Sequence, residues 1–395
     1  MTETVEQIAA LKSPLHEMHE QIGATMIERD GWFVPRSFGD VLGEYAAVRE
    51  AGAGLLDLSP RGRLLVSGTE AIQFLNGLIT NDMKTLTAHS WMPAAFPSVQ
   101  GRLIASVRVV RPQDEKTDET ERRTRTDKNV CPTFLIDTEA ATHNAVLKSL
   151  ERFTLAGDFH VTDVTGQTAM LSLQGRGARD IVRAVLGERA AVSSNQVVQI
   201  GWPQGSDVVV HSWRATHTAE EGFDLVIPAA EAGKLFEACK NAGARPVGYE
   251  ALETLRIEAG LPRYGVDMDE TNIVTETALD DAVSYTKGCY VGQEIIARIK
   301  YRGHVAKKLA GMKFEKTVPV AKGMAIRSTD GKEIGRITSA TISPALACTI
   351  ALGYLKYDYL APGTAVNVVT GEADLEARVC ELPFVKGSWG EEREA

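Results

Sequence analysis

The sequence predicts a mixed α+β body followed by a small antiparallel β-barrel, and three observations carry that reading. The chain has 395 residues, 44% hydrophobic and 24% charged, a globular composition and too much chain for one ordinary core. A strand–turn–helix unit recurs. Residues 63–68 lead into a helix face of Ala71, Ile72, Phe74, Leu75 and Leu78. Residues 169–175 lead into Ala178, Ile181, Val182 and Val185, and residues 224–228 into Ala232, Leu235, Phe236 and Cys239, with Pro228 opening the third helix. From Lys307 onward the pattern changes to short strands at 309–312, 324–327, 333–338, 349–353 and 365–369 between Gly, Pro and Asp turns, the spacing of a small barrel. The expected division is 1–306 for two interleaved α+β lobes and 307–395 for the barrel.

The other elements follow in chain order. A polar helix is expected over 15–22, a strand or loop entering the body at 31–35, and a helix over 41–50. Residues 97–111 and 132–137 form paired strands, and a helix over 139–153 turns Val146, Leu147, Leu150 and Phe153 to that sheet. Between the paired strands, about 112–131 carries charged residues and threonine with almost nothing to bury, which reads as a solvated hairpin insertion.

Composition also excludes classes. No run of about 18 apolar residues exists, so no membrane span is expected. The acidic start, Met1-Thr2-Glu3-Thr4, is unlike a secretory signal, and a cytoplasmic setting is expected. Cysteines at 131, 239, 289, 348 and 380 form no Cys-x-x-Cys pair, so neither a disulfide framework nor a closed zinc site is predicted. Cys239 and Cys348 lie among apolar residues and read as packing thiols. A net charge of -9 argues against direct nucleic-acid binding. Gly175-Arg176-Gly177 lacks the third glycine of a dinucleotide fingerprint and reads as a strand-to-helix turn.

The stretch with the most chemistry is Lys287-Gly288-Cys289-Tyr290-Val291-Gly292-Gln293-Glu294. Its cysteine sits between glycines at the mouth of an expected helix, two residues after a lysine. A nearby cation and a helix N-terminus both favour thiolate. Three readings of Cys289 stay open: a packing thiol, a nucleophile with His217 or His304 as base, or a soft ligand in iron–sulfur work. One cysteine cannot complete a four-thiolate cage, so no stable metal site is expected and any cluster contact would be transient. The following Arg298, Lys300, Arg302, His304, Lys307 and Lys308 form a basic run suited to a solvated face, a polyglutamate tail or an acidic partner.

Beyond these readings the chain resembles the YgfZ family of folate-binding iron–sulfur maturation proteins, relatives of the glycine cleavage T-protein (aminomethyltransferase). The resemblance rests on Gly31-Trp32 with Pro35, residues 54–59, 78–82 and 254–260, Gly335-Arg336-Ile337-Thr338-Ser339 with Pro383-Phe384, and the Lys-Gly-Cys-Tyr-x-Gly-Gln-Glu signature at 287–294. It implies a three-lobed aminomethyltransferase-like fold with a central folate pocket and tetrahydrofolate, or a derivative of it, as cofactor. It also implies Fe–S assembly or client proteins as partners, including tRNA-modifying enzymes, and a reduced folate, polyglutamylated or not. Glu220 matches the family's pterin-binding glutamate, and a carboxylate can accept two parallel hydrogen bonds from the pterin edge. Arg256 matches the arginine of the Leu-Arg-x-Glu-Ala-Gly strand beside it. Two departures separate the chain from the T-protein. Residues 101–106 lack the acid of its Gly-Gly-x-x-Asp-Asp strand, and Cys289 and Gln293 replace an Asp and an Arg. The expectation is therefore a tetrahydrofolate-binding accessory factor for iron–sulfur enzymes acting through Cys289, with folate-dependent aminomethyl or related one-carbon transfer as the alternative.

Overall fold

A computed structural model describes residues 10–112, 132–371 and 374–391. The body is built on two sheets. In the six-stranded sheet the spatial order is Val197–Gly201, Val209–Arg214, Gly222–Pro228, Thr168–Gln174, Gly54–Asp57 and Arg245–Pro246. The five-stranded sheet runs Ser90–Pro97, Leu103–Arg111, Phe134–Thr138, Gly62–Ser67 and His160–Asp163. Gly54–Asp57 and Gly62–Ser67 belong to different sheets, so the short turn at 58–61 stitches the two lobes together. Leu11–Lys12, Trp32–Ser37 and Thr25–Arg29 make a small third sheet. The C-terminal part is a closed barrel in the order Lys307–Lys313, Cys348–Lys356, Glu333–Ser343, Ala325–Ser328, Ala365–Val369 and Asp374–Cys380. Closure removes the exposed strand edges that short strands would otherwise leave. The α+β body with a closed antiparallel barrel is the expected fold class.

The recurrent units form for the expected reason. Thr168–Gln174 is buried along nearly its whole length, as suits a strand covered on both faces. Helix Ala178–Leu186 covers it with Ala178, Ile181, Val182 and Leu186, one stripe at helical spacing. At the turn between them Gly175 has φ +127, and a Cβ there would stand 2.6 Å from the Gly52 carbonyl oxygen, so this glycine serves chain crossing and not a dinucleotide. Ala71, Leu75 and Leu78 are the buried face of helix Ala71–Leu78. Helix Val41–Arg49 begins at Asp40, whose carboxylate accepts the Gly43 N–H at 3.0 Å.

Two expectations change. Pro228 closes strand Gly222–Pro228, and its helix, Ala232–Asn241, starts only after the short 3-10 turn Ala229–Glu231. The Leu-Arg-x-Glu-Ala-Gly segment is not a strand but part of helix Tyr249–Glu258, which buries Ala251, Leu255, Arg256, Ile257 and Glu258. Its Ala, Leu and Glu residues are strong helix formers, and one turn of helix carries Leu255 and Glu258 to the same buried side. Of the charged insertion expected near 112–131, residues 113–131 lie outside the described residues. Cys239 and Cys348 are buried packing thiols, and burial pushes Cys239 up to about 12.

Body and barrel are joined through Glu258. Its carboxylate accepts from the Tyr45 hydroxyl at 2.8 and 2.9 Å, from Arg49 Nε at 2.9 Å and from the Ser343 hydroxyl of the barrel at 2.5 Å. A buried carboxylate is tolerated when its lone pairs are filled in this way.

Strand Val209–Arg214 carries a titration site. Burial holds the His211 pKa down to about 4, against an ordinary 6.5. As pH falls the unfolded chain takes up this proton first, so the contribution to stability is complete above the ordinary pKa and is lost between there and the folded pKa. The expected loss over that window is ~2 kcal/mol, discounted for the partial exposure of the ring. Thermal midpoints measured across this range should fall more steeply in wild type than in His211→Gln, which retains the slope of the buried His217.

Candidate functional site

A cavity of about 260 Å³ opens where the two sheets, the 58–61 turn and helix Tyr249–Glu258 converge. Arg29, Arg61, Arg108, Arg256 and Arg263 line it against Asp30, Glu139 and Glu253. Behind this lining Asp137, Asp224 and Asp267 pair with Arg61, Arg108 and Arg256, so the guanidiniums are charge-balanced donors held in fixed positions.

The arginines are held by acids set into apolar strands. Arg61 places Nε and Nη2 at 2.7 and 2.9 Å from the two Asp137 oxygens, a bidentate fork. Arg108, on strand Leu103–Arg111, crosses to the other sheet and pairs with Asp224 on Gly222–Pro228. Asp224 also lies 3.0 Å, through each of its oxygens, from His217 Nε2. Burial opposes ionisation of Asp224, but His217 and Arg108 outweigh it and hold the carboxyl well below its usual range. Burial pushes His217 down, toward the neutral imidazole, so the permanent charge opposite Asp224 is Arg108. Arg256 reaches the wall from its helix, with Nη1 at 2.5 Å from Asp267, Nη2 at 2.7 Å from the Ser339 hydroxyl and a further pairing to Glu253. It therefore ties the pocket to the barrel. Ser106, where the sequence departs from an acid-bearing strand, also faces the cavity.

Glu220 lies elsewhere. The chain passes the cavity at Thr216 and His217 and then turns through Ala219, whose φ is +63. Glu220 accepts from Arg49 Nη1 at 2.8 Å, from the Ser388 backbone N–H at 2.8 Å and from the Ser388 hydroxyl at 2.6 Å. With these partners and 3% exposure it is a buried anchor for the C-terminal segment. The carboxylate behind the pocket is Asp224, four residues on. Its signal in the sequence is a lone acid in the otherwise apolar Gly222-Phe223-Asp224-Leu225-Val226-Ile227, and Asp137 in Phe134-Leu135-Ile136-Asp137 carries the same signal. Charge in a buried strand persists only when paired.

Residues 287–294 form a brace. The Lys287 ammonium donates to the carbonyls of Asn76, Ile79 and Asn81 at 2.7, 3.0 and 2.7 Å and sits 4.9 Å from the Tyr290 ring centroid. These carbonyls belong to the C-terminal end of helix Ala71–Leu78 and the residues just after it, where the helix leaves acceptors unsatisfied. Burial lowers the Lys287 pKa to about 8. The lysine is thus committed to carbonyls, which corrects the expectation that it polarises the thiol. Gly292 has φ +76, and a Cβ on it would stand 2.3 Å from the Ser98 carbonyl oxygen. Helix Gln293–Arg302 starts there and buries Ile296. Gln293 Nε2 reaches back to the Lys287 carbonyl at 3.5 Å.

Gly288, Cys289 and Glu294 are exposed. Cys289 precedes the helix by several residues and so stands outside its first turn. Among the described residues no hydrogen bond joins Cys289 to either histidine: His217 belongs to the cavity wall, and His304 stacks on Tyr357 at 3.7 Å with Nδ1 2.9 Å from the Val305 carbonyl oxygen. Among the described residues no group of three or more His, Cys, Asp or Glu could hold a metal ion.

Two family models match this chain: the GCVT N-terminal domain over residues 15–287 and the glycine cleavage T-protein C-terminal barrel domain over residues 307–386. The chain belongs to the glycine cleavage T-protein family. An aminomethyltransferase of Symbiobacterium thermophilum is 31% identical over 385 residues, covering 95% of this chain and 97% of the relative. One from Halalkalibacterium halodurans is 30% identical over 381 residues, covering 95% and 98%. The crystal structure of glycine cleavage system aminomethyltransferase T from Bartonella henselae shares the fold, with a TM-score of 0.81 at 24% identity over 95% of this chain and 98% of that one. Family membership is settled by these matches. The narrower placement in the YgfZ branch, with iron–sulfur and tRNA-modification roles, draws no support from them. No helix among the described residues is long and apolar enough to cross a membrane.

Proposed function

We propose that the chain binds a reduced folate in the cavity between its sheets and transfers a one-carbon group to or from it, as a tetrahydrofolate-dependent transferase of the aminomethyltransferase type. The observation that carries this reading is the Asp224–Arg108–His217 network at the wall of an arginine-lined pocket. It offers fixed polar groups to a flat heterocycle. The names of the relatives point the same way. Thr216 and His217 line the cavity beside this network, and Arg256 ties its wall to the barrel through Ser339.

The basic run occupies helix Gln293–Arg302, where Arg298, Lys300 and Arg302 are exposed. It is not on the cavity wall, so a polyglutamate extension would meet it only after leaving the pocket. An iron–sulfur role through Cys289 has one supporting feature, the exposure of the thiol, and the folate reading does not depend on it.

Calorimetric titration of tetrahydrofolate and 5-formyltetrahydrofolate into the purified chain tests the proposal. Saturable binding at one site, weakened by Arg108→Ala, is expected, and absence of binding to either folate removes the reading. A reconstituted glycine cleavage assay with lipoylated carrier protein then identifies the donor. Methylene-tetrahydrofolate formation assigns aminomethyl transfer, and binding without turnover assigns a different one-carbon donor.

A further inference from the structure

Of the three carboxylates on the cavity wall, two are already paired. Asp30 stands 3.5 Å from Arg263 Nη1 and 3.8 Å from Arg29 Nε, and Glu253 faces Arg29 and Arg256. Glu139 has no cation within ion-pair distance among the described residues. Its hydrogen bond comes from the Tyr264 backbone N–H, at 3.2 and 3.4 Å from its two oxygens. An ionised carboxylate offers about four acceptor positions, so most of this group's capacity is open to the cavity.

Strand register explains how it arrives there. Val107 lies opposite Thr138 and Arg108 opposite Asp137. One further step along the ladder brings Glu139 beside Ser106, and both line the cavity. Burial is the largest influence on Glu139 and raises its pKa, while Arg61 pulls it back. Arg61 is itself forked onto Asp137, which blunts that pull. Arg263 adds attraction and Asp30 repulsion. Arg108, His217 and Glu253 also line the cavity. A buried carboxyl with open lone pairs and no committed counter-ion is suited to exchanging a proton with a ligand.

We propose that Glu139 is the proton-transferring carboxylate of this cavity, facing an N–H group of the bound folate; this rests on the folate reading above. When a folate nitrogen bonds to the incoming carbon its N–H bond breaks, and Glu139 takes the proton and becomes the neutral acid. The bond from that carbon to the donor's nitrogen, sulfur or oxygen breaks, leaving the electron pair on the heteroatom. Glu139 returns the proton to that heteroatom. One N–H and one carbon–heteroatom bond are exchanged for one N–C and one heteroatom–H bond, and Glu139 ends as a carboxylate.

The test titrates tetrahydrofolate into wild type, Glu139→Gln and Glu139→Asp at pH values across the acidic and neutral range. Ionised Glu139 is the stronger acceptor for the ligand's N–H, so wild-type affinity is highest above its raised pKa and falls below it by roughly tenfold in all before levelling off. The Asp variant keeps this acid limb. The Gln variant loses it and binds roughly tenfold more weakly at neutral pH. In the reconstituted one-carbon transfer assay, Glu139→Gln lowers kcat by ~10²-fold or more with a much smaller change in the folate KM. A Gln variant that keeps the wild-type acid limb, or its kcat, overturns the role of Glu139 and leaves the folate reading standing. Failure of wild type to bind tetrahydrofolate at any pH overturns both.

Discussion

Asp224→Ala is expected to destabilise the protein by about 3–5 kcal/mol, the cost of stripping one partner from a buried ion pair, and to weaken reduced-folate binding by more than roughly tenfold. Asp224 has no solvent exposure, and its oxygens hold Arg108 from the other sheet and His217 from the preceding turn. Without it the Arg108 guanidinium keeps only Asp137, 3.7 Å away and already forked by Arg61, and is free to swing into the space a ligand would occupy. Asp224→Asn keeps a hydrogen-bond acceptor but removes the charge, and should fall between wild type and alanine. Urea unfolding and folate titration read the two effects separately. Glu220→Ala is the informative comparator. It releases Arg49 and Ser388 on the far side of the turn, so it should lower stability while leaving folate affinity within about twofold. Equal affinity losses for the two variants would return Glu220 to the binding site.

The second large effect is expected at Lys287. Lys287→Met leaves three carbonyl oxygens behind helix Ala71–Leu78 without their donor, and charge-assisted hydrogen bonds to buried groups are worth about 1.5–3 kcal/mol each before relaxation. A net loss of about 3 kcal/mol is expected, read as a lower urea midpoint with an unchanged slope. Cys289→Ala, two residues away but exposed, should change stability by less than about 0.5 kcal/mol and leave folate binding intact. If the lysine variant is silent and the cysteine variant abolishes binding, the motif is chemical and not a brace.

Much of this fold is legible along the chain because its elements are specified locally. Ala178, Ile181 and Val182 repeat at helical spacing behind a buried strand, and the glycine-punctuated strands after Lys307 announce a barrel. The segment around Arg256 shows where a family strand pattern misleads: its residues form helix Tyr249–Glu258, as their propensities favour. At the pocket the match is partial. Arg256 reaches the cavity wall and Glu220 does not, because Ala219 adopts a left-handed conformation that turns the next side chain away, a single-residue event with no periodic signature.

The sequence by itself determined the wider relationship to the glycine cleavage T-protein and the α+β body with its barrel, since these depend on composition, periodicity and contiguous motifs, whereas its narrower placement in the YgfZ branch found no support. Tertiary structure decided what those groups touch. Lys287 caps a helix more than two hundred residues earlier in the chain, Arg108 meets Asp224 across two sheets, and Glu139 reaches the cavity by strand register. Each of these pairings joins residues far apart in sequence, and the free energy of a charged group is set by the neighbours that folding brings to it, not by those beside it in the chain.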